Sequence, residues 1–283
     1  MTHQPISSDD LEIDDDHALR LFHSLDETPT AENDFDMGFG QPQWLLDAHN
    51  TMSGRVFILG TGPSLLKQLP LLGALKNEET WTVNRMQRFK ELPFTPTHHS
   101  IAEPGPVTDW GRGIDYPYDY PTAKNRLAIH WTPVTAPGWL WVAKAHDDVQ
   151  VRWQGFFGLG DYLPPIPSAW ASPLTAAQVA CWLGFTELYL LGCDTTQTGQ
   201  AWDTVGGRTK FKRSILAILE CADRAKHEIF AAGRSIYDCA PGGKLNEEGV
   251  LDYVELGDVL GTDKAKSAAG EAHRAVPQPV PSD

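Results

Sequence analysis

The stretch V56-FILGTGPSLLKQLPLL-G73 decides the fold. Four consecutive apolar residues, Val56 to Leu59, are too few for a helix and suit a strand buried on both faces. Gly60-Thr61-Gly62-Pro63-Ser64 then turns the chain, and LLKQLPLL resumes with helical spacing. Gly60 ends the strand, Gly62 permits a backbone course that a side chain would block, and Pro63 suits the first helical turn, where its missing N–H costs nothing. The amides freed at such a helix start form an anion site with Ser64 alongside, and a phosphate or nucleotide phosphate is the expected guest. The turn is neither a Walker loop nor a full dinucleotide fingerprint: GTGPSL lacks the third glycine, and no GxxxxGK[ST] occurs in the chain.

Outward from this unit the pattern repeats. RVFILG (55–60) and TWTVNR (80–85) are β-rich, and LAIHW (127–131) is a third candidate strand. A helix follows from Leu174 to Leu183, then an apolar strand Glu187 to Gly192, a long helix from about Lys212 to Ala232, and a short strand SIYDC. Strands alternating with helices predict an α/β, Rossmann-like, doubly wound and mostly parallel sheet. Residues 1–40 hold about a dozen acids against a single Arg and are expected to be a flexible acidic extension; residues 262–283, rich in Ala and Pro, are expected to be a flexible tail. Residues 41–261 form the expected Rossmann-like, nucleotide-binding domain. Its Pro/Trp-rich middle, about 94–167, reads as a loop-rich insertion in which Trp139, Trp141 and Trp153 either pack or face an acceptor.

The formal net charge of −14 argues against a general nucleic-acid surface. Cys181, Cys193, Cys221 and Cys239 lie far apart, which suggests reduced, buried thiols rather than a zinc site or disulfide frame. The opening residues lack the basic and apolar regions of a signal peptide, and no apolar run reaches the roughly 18 residues that span a bilayer. A cytoplasmic location without membrane insertion is expected.

In a sheet of this kind ligands sit at the carboxyl ends of the strands. Asn84 ends the second strand, where it is a candidate for hydrogen bonding a base or sugar. Gly192-Cys193-Asp194 ends a central strand: Asp194 is a candidate for accepting from ribose hydroxyls, for holding a metal or for acting as a base, and Gly192 clears space beside it. Ser172 opens the preceding helix and is a candidate phosphate donor or N-cap. The segment GGRTKFKR (206–213) is the dense basic patch of an acidic protein, and Arg208, Lys210, Lys212 and Arg213 are candidates either for neutralising a leaving diphosphate or a transferring phosphoryl group or for solvating a helix start. Candidate general bases are His98, His99, Glu103, His130 and Asp194. His227, in mid-helix, reads as structural. Asp238 and Lys244 flank a Pro-Gly-Gly turn and are further candidates.

FILGTGPSL, the strand-end Asn84 and ASPLTAAQVACWLGFTELYLLGCD resemble blocks of the bacterial sialyltransferases of glycosyltransferase family 42. They also resemble a wider group that includes motility-accessory glycosyltransferases and 6-hydroxymethylpterin pyrophosphokinase-like proteins. The family pattern runs GNGPSL, a strand-end Asn, TSG, a helix, LGY, an apolar strand and GxD; Ser172, Gly184, Gly192 and Asp194 fall on its last block without a gap. The resemblance spans about Arg55 to Leu92 and Ser168 to Leu260. It implies a nucleotide or nucleotide-sugar held by Gly60, Thr61, Gly62, Ser64, Asn84, Ser172 and Asp194; the residues themselves add Gly192 and Lys210 to that set and make Asp194, Glu103, His99 and Arg208 the candidates for catalysis. Two departures stand out. Thr61 replaces the family's Asn, and no histidine lies between the GxD strand and the long helix, where Trp202 also stands in place of a tyrosine. The implied activity is nucleotide-dependent transfer, first of a sugar from a nucleotide-sugar to an acceptor the sequence does not identify. The alternatives are magnesium- and ATP-dependent pyrophosphoryl transfer to a pterin-like or other small alcohol, sugar transfer to a nucleic-acid base, and an inactive nucleotide-binding module.

Overall fold

The computed structural model describes residues 41–101, 123–130, 140–143, 171–195, 201 and 215–261. Among them, strands β1 (Arg55–Leu59), β2 (Thr80–Val83), β3 (His98–Ile101), β4 (Asn125–His130), β5 (Leu140–Ala143), β6 (Glu187–Leu191) and β7 (Ser235–Asp238) form one seven-stranded sheet in the order β5-β4-β3-β2-β1-β6-β7. Every pairing in it is parallel. Helices are α1 (Gln43–Asp47), α2 (Ser64–Leu72), α3 (Ser172–Leu183), α4 (Ile215–Ala231), α5 (Lys244–Glu247) and α6 (Leu256–Leu260). The chain is therefore an α/β protein with a Rossmann-like, parallel sheet.

Alternation along the strands sorts the core into two layers. Val56, Ile58, Trp81, Val83, Leu127, Ile129, Leu188 and Leu190 pack with α3 and α4 on one face. Phe57, Leu59, Tyr189 and Leu191 pack with Leu65 and Leu72 of α2 and Leu256 and Leu260 of α6 on the other. Covering both faces is what makes β1 and β6 apolar at nearly every position.

Helix α3 buries every residue but Pro173. Ala176, Ala177 and Ala180 keep it thin against the sheet, and the segment around α1 covers its far side. There Asn50 N–H donates to Trp182 O (3.0 Å), Met52 N–H to Leu183 O (2.7 Å), and Trp182 Nε1–H to Leu45 O (2.7 Å). Gly184 ends the helix at φ +111°, and a Cβ there would lie 2.4 Å from Met52 O, so the stop and the covering strap require the same glycine.

Within the middle of the chain, residues 98–101, 125–130 and 140–143 supply three adjoining strands of the sheet, the second of them over the expected LAIHW. His98 and His99 belong to β3 itself. No helix among the described residues is long and apolar enough to cross a membrane.

Candidate functional site

Sequence order reverses between β1 and β6: β2 to β5 extend from one side of β1, while β6 and β7 lie on the other. At such a switch point the two outgoing loops diverge and leave a crevice beyond the carboxyl ends of the strands. The Gly60–Ser64 turn and Gly192-Cys193-Asp194 are those two loops. They remain zipped together past the strands, with Gly60 N–H donating to Leu191 O and Gly62 N–H to Gly192 O, both at 2.7 Å. A Cβ on Gly60 would sit 2.5 Å from Gly192 O, and one on Gly192, at φ +60°, would sit 2.6 Å from Leu65 Cγ. The glycines thus serve close backbone approach between β1, β6 and α2.

Asp194 fills the mouth of α2. Its Oδ1 accepts from Ser64 N–H (3.1 Å) and its Oδ2 from Ser64 Oγ–H (2.8 Å), with a longer contact from the same N–H (3.3 Å). The anion on this helix start is the protein's own carboxylate, drawn there by the partial positive charge of the amino end. Asp194 is buried, and burial pushes its pKa up against the opposing pull of the Ser64 hydrogen bonds and the Lys67 charge. Ser64→Ala removes the hydroxyl donor from a buried carboxylate. The expected loss is about 1–3 kcal/mol, read as a lower urea midpoint, with a smaller loss when Asp194 is already Asn.

On the other side of β1, Asn84 Nδ2–H donates to Ser172 Oγ at 2.6 Å. Asn84 leaves β2 at φ +49°, a left-handed conformation Asn tolerates better than most residues. Ser172 is the first residue of α3 and Ala171 its N-cap, so the Ser172 hydroxyl serves Asn84 instead of capping the helix. Thr61 contributes its carbonyl, which accepts from Ala201 N–H (2.8 Å) and ties the returning chain over the turn.

The loop after β7 completes the edge. Asp238 is fully buried; its Oδ1 accepts from Ala240 N–H at 2.8 Å, while Oδ2 has no hydrogen-bond partner among the described residues. Burial, reinforced by the nearby Asp194 charge, pushes its pKa up to about 7. Lys244 N–H donates to Asp194 O (2.9 Å), but its ammonium turns away to Glu247 (2.8 Å) and Glu248 (3.6 Å), so Lys244 contributes backbone and not charge. Two residues not singled out in the sequence reach this loop from α2. Gln68, buried, donates through Nε2–H to Cys239 O, and Lys67, exposed, donates through Nζ–H to Pro241 O at 3.3 Å. Their one signal was polarity in an otherwise apolar LLKQL.

His99 does not join the site. It lies inside β3, buried, with Nδ1 2.9 Å from Thr82 Oγ1, and burial followed by the charge of Arg126 depresses its pKa to about 3. A general base needs access and a pKa near working pH, and His99 has neither. His98 is stacked on Trp81 with ring centroids 4.7 Å apart. His227 is exposed on α4, its Nδ1 2.8 Å from Asp223 O. The four cysteines are free and buried. Glu103, Trp139, Trp153, Trp202, Arg208, Lys210, Lys212 and Arg213, and the side chains of His130 and Trp141, lie outside the described residues.

No family model matches the chain. No curated protein matches it either. Among solved structures, that of the MAf glycosyltransferase from Magnetospirillum magneticum AMB-1 superposes on 79% of this chain and 38% of its own, at 16% identity and a TM-score of 0.49. The present chain thus spans well under half the length of that protein.

Proposed function

We propose that this chain is a nucleotide-dependent transferase, and specifically a glycosyltransferase that takes a sugar from a nucleotide-sugar donor. One observation carries the reading: the loops that diverge between β1 and β6 bring a buried carboxylate, Asp194, against Ser64, with the Asn84–Ser172 pair at the neighbouring strand end. Polar groups converging on a switch point are the usual setting for a nucleoside. Asp194 retains acceptor capacity beyond its bonds to Ser64 and suits the hydroxyls of a ribose; Asn84 and Ser172 suit the next polar portion of the ligand. The motif resemblance supports transfer as the reaction class. The basic segment 206–213, with Arg208 and Lys210, is assigned the leaving diphosphate, and Glu103 remains the proposed base.

Magnesium-dependent pyrophosphoryl transfer fits the described residues less well. Asp238 is buried beneath the 240–243 turn, and no cluster of three candidate ligands occurs among the described residues. Mg²⁺ asks for octahedral oxygen ligation with several retained waters.

A thermal-shift panel of ATP, CMP, UDP, GDP and their sugars, with and without magnesium, tests the proposal. Stabilisation by one nucleotide-sugar at saturating concentration is expected, by about 2–3 kcal/mol at a hundredfold excess over Kd, and Asp194→Ala should abolish it. A shift with ATP that requires magnesium would instead support the kinase, and an undiminished shift in Asp194→Ala would remove this crevice as the site.

A further inference from the structure

The seat that the GTGPS turn would offer a phosphate is occupied. Ser64 N–H and Oγ–H both donate to Asp194, and the carboxylate lies so close to the turn that a Cβ on Gly62 would be 1.9 Å from Oδ2. Two anions do not share one set of donors. Asp238 adds a second buried carboxylate at the adjacent strand end. A phosphorylated ligand entering over this floor meets repulsion unless a cation stands beside it.

Lys67 is placed for that task. It lies one turn into α2, three residues beyond Ser64, and its ammonium crosses the end of β6 to the loop after β7, where it meets Pro241 O at 3.3 Å. That partner is a neutral carbonyl at long range, so a phosphoryl oxygen would compete for the ammonium on favourable terms. Its charge already bears on Asp194. Lys244, the other lysine of this loop cluster, is held by Glu247 and Glu248.

We propose that Lys67 is the residue by which this site distinguishes a phosphorylated nucleoside from the free nucleoside: its ammonium leaves Pro241 O and pairs with phosphoryl oxygens above the Asp194–Ser64 lock. The inference rests on the nucleotide-binding reading given above and adds a specificity residue to it.

The test compares binding of ADP, GDP, CDP and UDP with binding of the corresponding nucleosides to the full chain, by calorimetry at two salt concentrations. In Lys67→Met the preferred diphosphate should bind about tenfold more weakly, as expected for loss of one charge-assisted contact. Nucleoside binding should stay within about twofold and the salt dependence of diphosphate binding should flatten. Lys67→Arg should restore most of the affinity. Equal weakening of both ligand classes would make Lys67 a strut for the 240–243 turn and overturn the proposal, as would an unchanged diphosphate affinity. A wild-type chain that binds no nucleotide overturns the functional reading together with this one; a wild-type chain that binds diphosphate and nucleoside equally overturns this one alone.

Discussion

Replacing Gly62 by Ala is expected to lower the thermal midpoint by about 10 °C or more, corresponding to roughly 3–5 kcal/mol at 2–4 °C per kcal/mol for a domain of this size. The added methyl would lie 1.9 Å from Asp194 Oδ2, 2.8 Å from its Cγ and 2.7 Å from Gly192 O. Relief can come in two ways. If Asp194 swings off, the Ser64 amide and hydroxyl lose their acceptor, at about 1–3 kcal/mol. If the turn lifts off β6, the bond from Gly62 N–H to Gly192 O breaks and the packing of Leu65 beside Gly192 is disturbed. The double variant Gly62→Ala, Asp194→Ala separates these routes. When the carboxylate is the main obstacle, the two losses should sum to clearly more than the double variant shows. A midpoint for Gly62→Ala within about 2 °C of wild type would mean that the turn and Asp194 are not packed as described.

The second large effect is in the pH dependence of stability. The pKa of Asp238 rises from 3.8 to about 7 on folding, mainly through burial. Between those values the folded chain binds the proton more tightly than the unfolded chain. The sign follows directly: the stability associated with this proton is fully present below about pH 4 and declines as pH rises through 7. Roughly three pH units at ~1.4 kcal/mol each set a ceiling of ~4 kcal/mol. Asp238→Asn keeps an oxygen for Ala240 N–H and carries no charge to bury. It should therefore be more stable than wild type at pH 8, with the difference shrinking steadily towards pH 5. Urea midpoints of both proteins at pH 5, 6, 7 and 8 measure this, and parallel curves would show that Asp238 does not titrate in that range.

The sequence made the centre of the fold legible and left its flank obscure. Val56–Leu59 and Leu188–Leu191 are apolar because they are covered on both faces, and the same feature marks them as parallel strands. Gly184 and Gly192 mark a helix stop and a strand exit, and both have positive φ. β3 was harder to see: His98-His99-Ser100-Ile101 carries three polar residues in four. Those residues are buried because neighbouring strands provide partners, with Trp81 Nε1–H donating to Ser100 Oγ (2.9 Å) and Thr82 meeting His99. Such cross-strand pairing has no signature within one segment. β5 was masked by the prolines and tryptophans around it. In the site, residue types at the strand ends were readable, but the contact between Ser64 and Asp194 spans 130 positions, and pattern alone could not say that the helix start would be filled from within. The depressed pKa of His99 arises likewise from burial that its neighbours in sequence do not announce.

Strand β1 takes its second partner late. Arg55 pairs with Glu187, so a ribosome that has finished β1 must add about 130 further residues before β6 can reach it. At about 5–20 residues per second the nascent chain spends on the order of ten seconds with β2 to β5 free to assemble and the far border of β1 bare. An apolar parallel strand with an open border is a template for pairing with another chain. Yield during expression should accordingly respond to slower translation and to chaperone supply more strongly than the finished, fully paired molecule's resistance to heat would suggest.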